Sequence, residues 1–316
     1  MTHPPVRTAE QLLKRLEWTV LRRLDGLLQG DYRTLLRGTG MDLADLREYQ
    51  HHDDVRHIDW NVTARLQQPH VRVFTEDREM SAWFLLDLSP SMDFGSGEQH
   101  KRHVLAEFVG LLARLLTRHG NRVGAMLYGS GVDTVVAARG GRQHVLQLLH
   151  TLQTRPGTLP NGPTRLHELL ESAAKLVRRR STIFVVSDFI SESGWARPLG
   201  QLAQRHEVVA VRLLDPLELH LPDLGLIPIR DAETGEQLLV DTHDKGFRQR
   251  FARIAAQREA DLRQALMRAG VDALELSTDG DLVDALLRFT ELRKRRSRLS
   301  SAAVAGRLPS HMQRAA

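Results

Sequence analysis

Cysteine is absent from all 316 residues, which excludes disulfide scaffolds, thiolate zinc sites, iron–sulfur clusters and cysteine nucleophiles together. His, Asp, Glu, Ser and Thr are left to carry any chemistry. Long apolar runs are also missing. The most hydrophobic N-terminal stretch, Leu12 to Leu28, is broken by Lys14, Arg15, Glu17, Arg22, Arg23 and Asp25, so neither a membrane span nor the apolar core of a signal peptide is expected. The sequence reads as a cytoplasmic protein. Phosphate-cradling and nucleophile-elbow patterns are lacking too: Gly38-Thr39-Gly40, Gly95-Ser96-Gly97 and Gly140-Gly141 do not run on into Gly-Lys-Ser/Thr, and no Gly-x-Ser-x-Gly occurs.

What is present is a balance of 41% hydrophobic and 26% charged residues, that of a globular chain able to bury a sizeable core. The net charge of +5 is unevenly placed. From Arg288 to Ala316 eight Lys/Arg face Glu291 alone, a net +7, so the rest of the chain sums to −2. The basic excess belongs to a C-terminal tail, and the run Arg293-Lys294-Arg295-Arg296 is read as a solvated helix end rather than a nucleic-acid contact.

Leucines at helical spacing predict an amphipathic helix over residues 8–29, packed on its own domain. Two short apolar runs, Trp83 to Leu86 and Ile183 to Val186, end in Asp87 and in Ser187-Asp188. They suit strands buried on both faces of a parallel sheet. Val208 to Leu214 is a third such run and Val271 to Leu276 a weaker fourth. Helical segments lie between them at 101–119, 143–152, 165–180, 195–206, 245–269 and 281–295, so the expected class is α/β, a doubly wound, mostly parallel sheet. The pair 122–128 and 132–138 around Gly129-Ser130-Gly131 reads as a hairpin that adds one antiparallel edge strand. An inserted loop and hairpin is expected over 213–241. The expected domains are a helical, charged, loop-rich head over 1–78, the α/β domain over 79–296, and a basic, disordered tail over 297–316.

The sharpest chemical signal is Asp87-Leu88-Ser89-Pro90-Ser91-Met92 at the carboxyl end of a buried strand, where open α/β sheets bind ligands. Spacing of two aims three oxygens at one point as the chain leaves the strand. Thr164 before a helix adds a hydroxyl, and Asp188 at the end of another strand adds a carboxylate. Oxygen donors without nitrogen or sulfur suit a hard cation such as Mg²⁺.

These residues, Asp87-x-Ser89-x-Ser91 with Gly162-Pro163-Thr164 and Ser187-Asp188, resemble the metal ion-dependent adhesion site of von Willebrand factor type A domains, and the segment order from 81 to 296 fits that fold. Upstream, Arg37-Gly38-Thr39-Gly40, Leu46-Arg47-Glu48-Tyr49, the stretch Asp53 to Trp60, Thr63-Ala64-Arg65, Val71 to Phe74 and Glu76 to Glu79 resemble the signature of the bacterial domain of unknown function 58 family. Two departures are visible: His51-His52 stand where the family usually has Pro-Gly, and Pro90 sits inside the metal loop. The resemblance implies a non-enzymatic interaction or adaptor module. Its site would hold Mg²⁺, with Mn²⁺ or Ca²⁺ as substitutes, through Asp87, Ser89, Ser91, Thr164 and Asp188, leaving a position for an acidic residue of a protein partner. It also implies an accessory role, chaperone-like or regulatory, beside a MoxR-type AAA+ ATPase.

Other readings of the same residues are a metal-dependent phosphoester hydrolase, a nucleic-acid binder acting through the tail, and a zinc site at His51, His52, Asp53, Asp54 and His57. The charged residues Arg47, Glu48, Asp53, Asp54, Arg56, Asp59 and Arg65 are expected to pair with one another and fix the head. Trp60 is expected in the core.

Overall fold

The computed structural model describes residues 8–21, 45–50, 55, 58–73, 81–97, 99–157 and 162–305. Helix α1 (Ala9–Arg15) opens on a Thr8 capping box with Gln11 and widens into a π-helical turn, Leu16–Leu21. Strands β1 (Asp45–Glu48) and β2 (His70–Val73) pair antiparallel around helix α2 (Trp60–Leu66).

The main body follows as β3 (Ser81–Asp87), α3 (Lys101–Arg118), β4 (Arg122–Tyr128), β5 (Val132–Arg139), α4 (Arg142–Thr154), α5 (Leu166–Leu176), β6 (Thr182–Ser187), α6 (Ala196–Arg205) and β7 (Glu207–Leu214). The hairpin strands β8 (Leu226–Arg230) and β9 (Gln237–Asp241) come next, then α7 (Lys245–Ala269), β10 (Asp272–Ser277) and α8 (Leu282–Ala305).

Six strands form one sheet in the order β10-β7-β6-β3-β4-β5, parallel except for β5, which runs antiparallel to β4 at the edge. This is the doubly wound class that the buried apolar runs imply, with its single antiparallel edge strand. Alternation along the central strands splits the core. Phe84, Leu86, Phe184 and Val186 face a layer that includes Leu12, Leu16, Phe108, Leu148 and Leu286. Leu85, Ile183 and Val185 face Leu169, Leu199 and Leu266 on the other side. Helices α1, α3, α4 and α8 therefore cover one face, and α5, α6 and α7 the other.

Phe84 stacks on Phe184 at 5.4 Å between centroids while Phe108 meets both rings edge-on, contacts that stabilise by about 1 kcal/mol each beyond area burial. Gly124 lets β4 approach β3, since a Cβ there would lie 2.8 Å from the Trp83 ring.

Three expectations change. Trp60 is 71% exposed rather than core, because it begins α2 beyond the buried Asp59, whose carboxylate accepts the Val62 N–H and takes the inward place. The last helix runs past Ser297 to Ala305, and residues 306–316 of the expected tail lie outside those described. Arg293 is buried, not solvated: it donates to Glu207 and, at 2.9 Å, to Asp272, and lies over the Phe289 ring.

The pairing expected within the charged head, and the zinc reading at His51, His52, Asp53, Asp54 and His57, rest largely on residues outside those described. Among the described residues no helix is long and apolar enough to cross a membrane.

Candidate functional site

The carboxyl ends of β3, β6 and β7 open on one side of the sheet, and the loops leaving them meet there. Asp87 closes β3 with its side chain fully buried. Its Oδ1 accepts the Ser89 N–H at 3.0 Å, and its Oδ2 accepts the Ser187 hydroxyl at 2.6 Å from the neighbouring strand. Ser89 and Ser91 are buried, with hydroxyl oxygens 3.2 Å apart. Pro90 does not disturb them: it begins a 3-10 turn (Pro90–Asp93), a position whose N–H would have no partner within the turn.

Asp188 follows β6. Its Oδ1 accepts the Ile190 N–H at 2.9 Å, and Phe189 between them takes a left-handed φ of 59° that folds the chain back on the strand end. Thr164 is placed from the opposite side. Its carbonyl accepts from Ser191 Oγ and from the Glu192 N–H, both at 2.9 Å, and the next N–H, that of Arg165, donates to the Tyr128 hydroxyl at 3.0 Å. Gly162 precedes it at φ 95°, a backbone conformation that favours glycine. The structure thus gathers Asp87, Ser89, Ser91, Thr164 and Asp188 around one cleft; Asn161 lies outside the described residues.

Ser187, legible in the sequence beside Asp188, ties β6 to Asp87. Two residues of this cleft escaped the sequence reading. Lys101, the first residue of α3, is completely buried, with Nζ 2.6 Å from Asp188 Oδ2 and 2.5 Å from Glu218 Oε1. Glu233, from the turn of the β8–β9 hairpin, spans two loops: Oε1 accepts the Ser91 N–H at 3.3 Å, and Oε2 accepts the Thr164 hydroxyl at 3.0 Å.

The electrostatics follow from burial. Asp87 is pushed up to about 6 by burial and then by repulsion from Asp188, against the opposing hydrogen bonds from Ser187 and Ser89. Burial pushes Glu233 up as well, while Thr164 and Ser91 pull it down and Asp188 adds repulsion. Burial alone would lower Lys101; the carboxylates of Asp188 and Glu218 outweigh it and hold the ammonium above its usual value.

Asp215, fully buried at the end of β7, steadies the rim. It accepts from the Ser96 N–H at 2.8 Å and from the Thr278 hydroxyl at 2.7 Å.

Tested as a cation site, the donor set is hard and all oxygen. The separation of the two serine hydroxyls is near the ~3 Å edge of an octahedron with metal–oxygen bonds of about 2.1 Å. Among the described residues Lys101 forms salt bridges with Asp188 and Glu218, while Asp87 and Glu233 form none, which leaves negative charge to be balanced. Among the described residues no group of three or more His, Asp or Glu is placed to hold a metal, so a cation here would depend on the hydroxyls. The residues fit a hard divalent ion of that kind.

The family described as protein of unknown function DUF58 matches over residues 45–261. The chain belongs to it. Uncharacterized proteins of Mycobacterium tuberculosis and Mycobacterium bovis are each 38% identical over 283 residues, covering 90% of this chain and 89% of theirs. Among solved structures, BatB from Bacteroides thetaiotaomicron aligns at TM-score 0.44 and 15% identity, over 68% of this chain and 99% of its own. The SpRpn10 VWA domain aligns at TM-score 0.36 and 13% identity, over 66% and 94%. The fold of this DUF58 protein stands on its own strand order.

Proposed function

We propose that the protein is a non-enzymatic interaction module whose cleft holds Mg²⁺, or Mn²⁺ or Ca²⁺ in its place, and offers it to an acidic group on a partner protein. The observation that carries this reading is the convergence of three loops on a buried, oxygen-only donor set with more carboxylates than cations. Asp87, Ser89, Ser91 and Thr164 supply the inner oxygens. Asp188, with one oxygen on Lys101 and the other on the Ile190 N–H, acts through water. The ion supplies charge neutralisation and an exchangeable position for an acidic oxygen. The resemblance to the domain of unknown function 58 family supports a MoxR-type AAA+ ATPase as partner.

Thermal unfolding tests the site. Mg²⁺ raises the melting temperature of the wild type by mass action, and Asp87→Ala removes the rise while the metal-free variant stays folded. An equal Mg²⁺ shift in both proteins overturns the reading.

A further inference from the structure

The β8–β9 hairpin is an arm with one foothold at each end. Among the described residues its strands pair only with each other, and Leu226, Leu238 and Leu239 are exposed along it. At the base, the buried Thr242 hydroxyl donates to the Gly225 carbonyl at 2.7 Å and accepts the Leu224 N–H at 2.9 Å. At the far end, Asp231 Oδ1 accepts the N–H groups of Glu233 and Thr234, and the Gly235 N–H returns to the Asp231 carbonyl at 2.9 Å, which fixes the turn.

That built turn delivers Glu233 into the cleft. Besides its two side-chain bonds, its carbonyl accepts the Gly162 N–H at 3.2 Å. Both carboxylate oxygens meet residues of the site, one the Ser91 backbone and one the Thr164 hydroxyl, and no Lys, Arg or His forms a salt bridge with Glu233 among the described residues. A half-buried carboxylate aimed at a cation-binding cleft without a counter-ion is chemically the same group that an acidic partner would bring.

We propose that Glu233 is an internal carboxylate ligand of the site and that the β8–β9 hairpin is its lid. An acidic partner must then displace Glu233, so the hairpin sets the threshold for binding. This rests on the cation reading above. A two-stranded hairpin detached at its tip leaves the main sheet unbroken, so the lid opens at small cost to the fold. In the Thr164 contact the hydroxyl is the donor, which leaves its lone pairs for the ion; lid and ion bind together.

The test is hydrogen exchange of the full chain in Mg²⁺ and in chelator, for wild type and Glu233→Gln. In the wild type, Mg²⁺ slows exchange both in residues 86–93 and in residues 226–241. In the variant it slows only residues 86–93, and Mg²⁺ binds about tenfold more weakly by calorimetry. Equal slowing of the hairpin in both proteins, with residues 86–93 responding, overturns the lid alone. No Mg²⁺ response in either segment overturns the cation site and the lid with it.

Discussion

Lys101 Nζ stands 2.6 Å from Asp188 Oδ2 with both side chains out of solvent, so a helix start provides the charge that the β6 strand end needs. Breaking a buried pair costs more than the pair contributes, because the remaining charge has nothing to face it. Lys101→Met is expected to destabilise the protein by about 3 kcal/mol in chelator, read from urea unfolding. With Asp188 and Glu218 left unpaired, Mg²⁺ should restore more stability to this variant than it adds to the wild type. An equal increment would mean that the ammonium and the ion serve separate carboxylates.

Asp87 gives the metal-free protein a pH dependence of definite sign. Its folded value of about 6 lies above the ordinary 3.8, so the folded state binds the proton more tightly than the unfolded chain. Its contribution to stability is fully present below about pH 4 and is lost as pH rises through 6. In chelator, urea midpoints between pH 4.5 and 7.5 should fall with rising pH from this group, and Asp87→Asn should flatten that component. Proton and metal compete for the same carboxylate, so Mg²⁺ affinity should drop about tenfold per pH unit below 6 and level off above it. A pH-independent Mg²⁺ affinity would remove Asp87 from the ligand set.

The difference between what these residues announce and what they hide is one of range. Asp87, Ser89, Ser91 and Asp188 were legible because each lies within a few residues of an apolar run whose end marks the cleft. Thr164 was legible from its place just before a helix, where its hydroxyl joins the strand-end oxygens. Lys101 opens a helix, where a lysine ordinarily meets water, and its burial follows from Asp188 and Glu218, 87 and 117 positions away. Glu233 sits in a Thr-Gly turn that predicts a hairpin correctly but says nothing of where the hairpin leans. Arg293 hid in a basic run for the same reason: its partners Glu207 and Asp272 come from other strands.

Arg293 bears on how the C-terminus is to be trimmed. Arg293→Ala is expected to cost about 3 kcal/mol, because it strands Glu207 and leaves Asp272 with Arg296 alone. Removal of residues 306–316 should leave the unfolding midpoint unchanged. A neutral Arg293→Ala would restore the reading of this run as a solvated helix end.

Partner capture from the native host decides between a metal-centred and a charge-centred interaction. With Mg²⁺ present, the full chain should retain a partner, with the MoxR-type ATPase as the named candidate, and chelator should release it. Asp87→Ala should abolish retention by removing the innermost carboxylate. Thr164→Ala has two opposed effects, since it deletes one ligand and also the hydroxyl that holds Glu233. Loss of the ligand should dominate, because a loosened lid exposes only a weaker ion. Glu233→Gln, which opens the lid and keeps Asp87, Ser89, Ser91 and Thr164, should bind the partner at least as well as the wild type once Mg²⁺ is high enough to fill its weaker site. Truncation after Ala305 should leave retention intact, as the cleft lies at the ends of β3 and β6. A partner that stays bound in chelator and with Asp87→Ala, but is released by that truncation or by raised salt, would assign the interaction to the basic C-terminus instead.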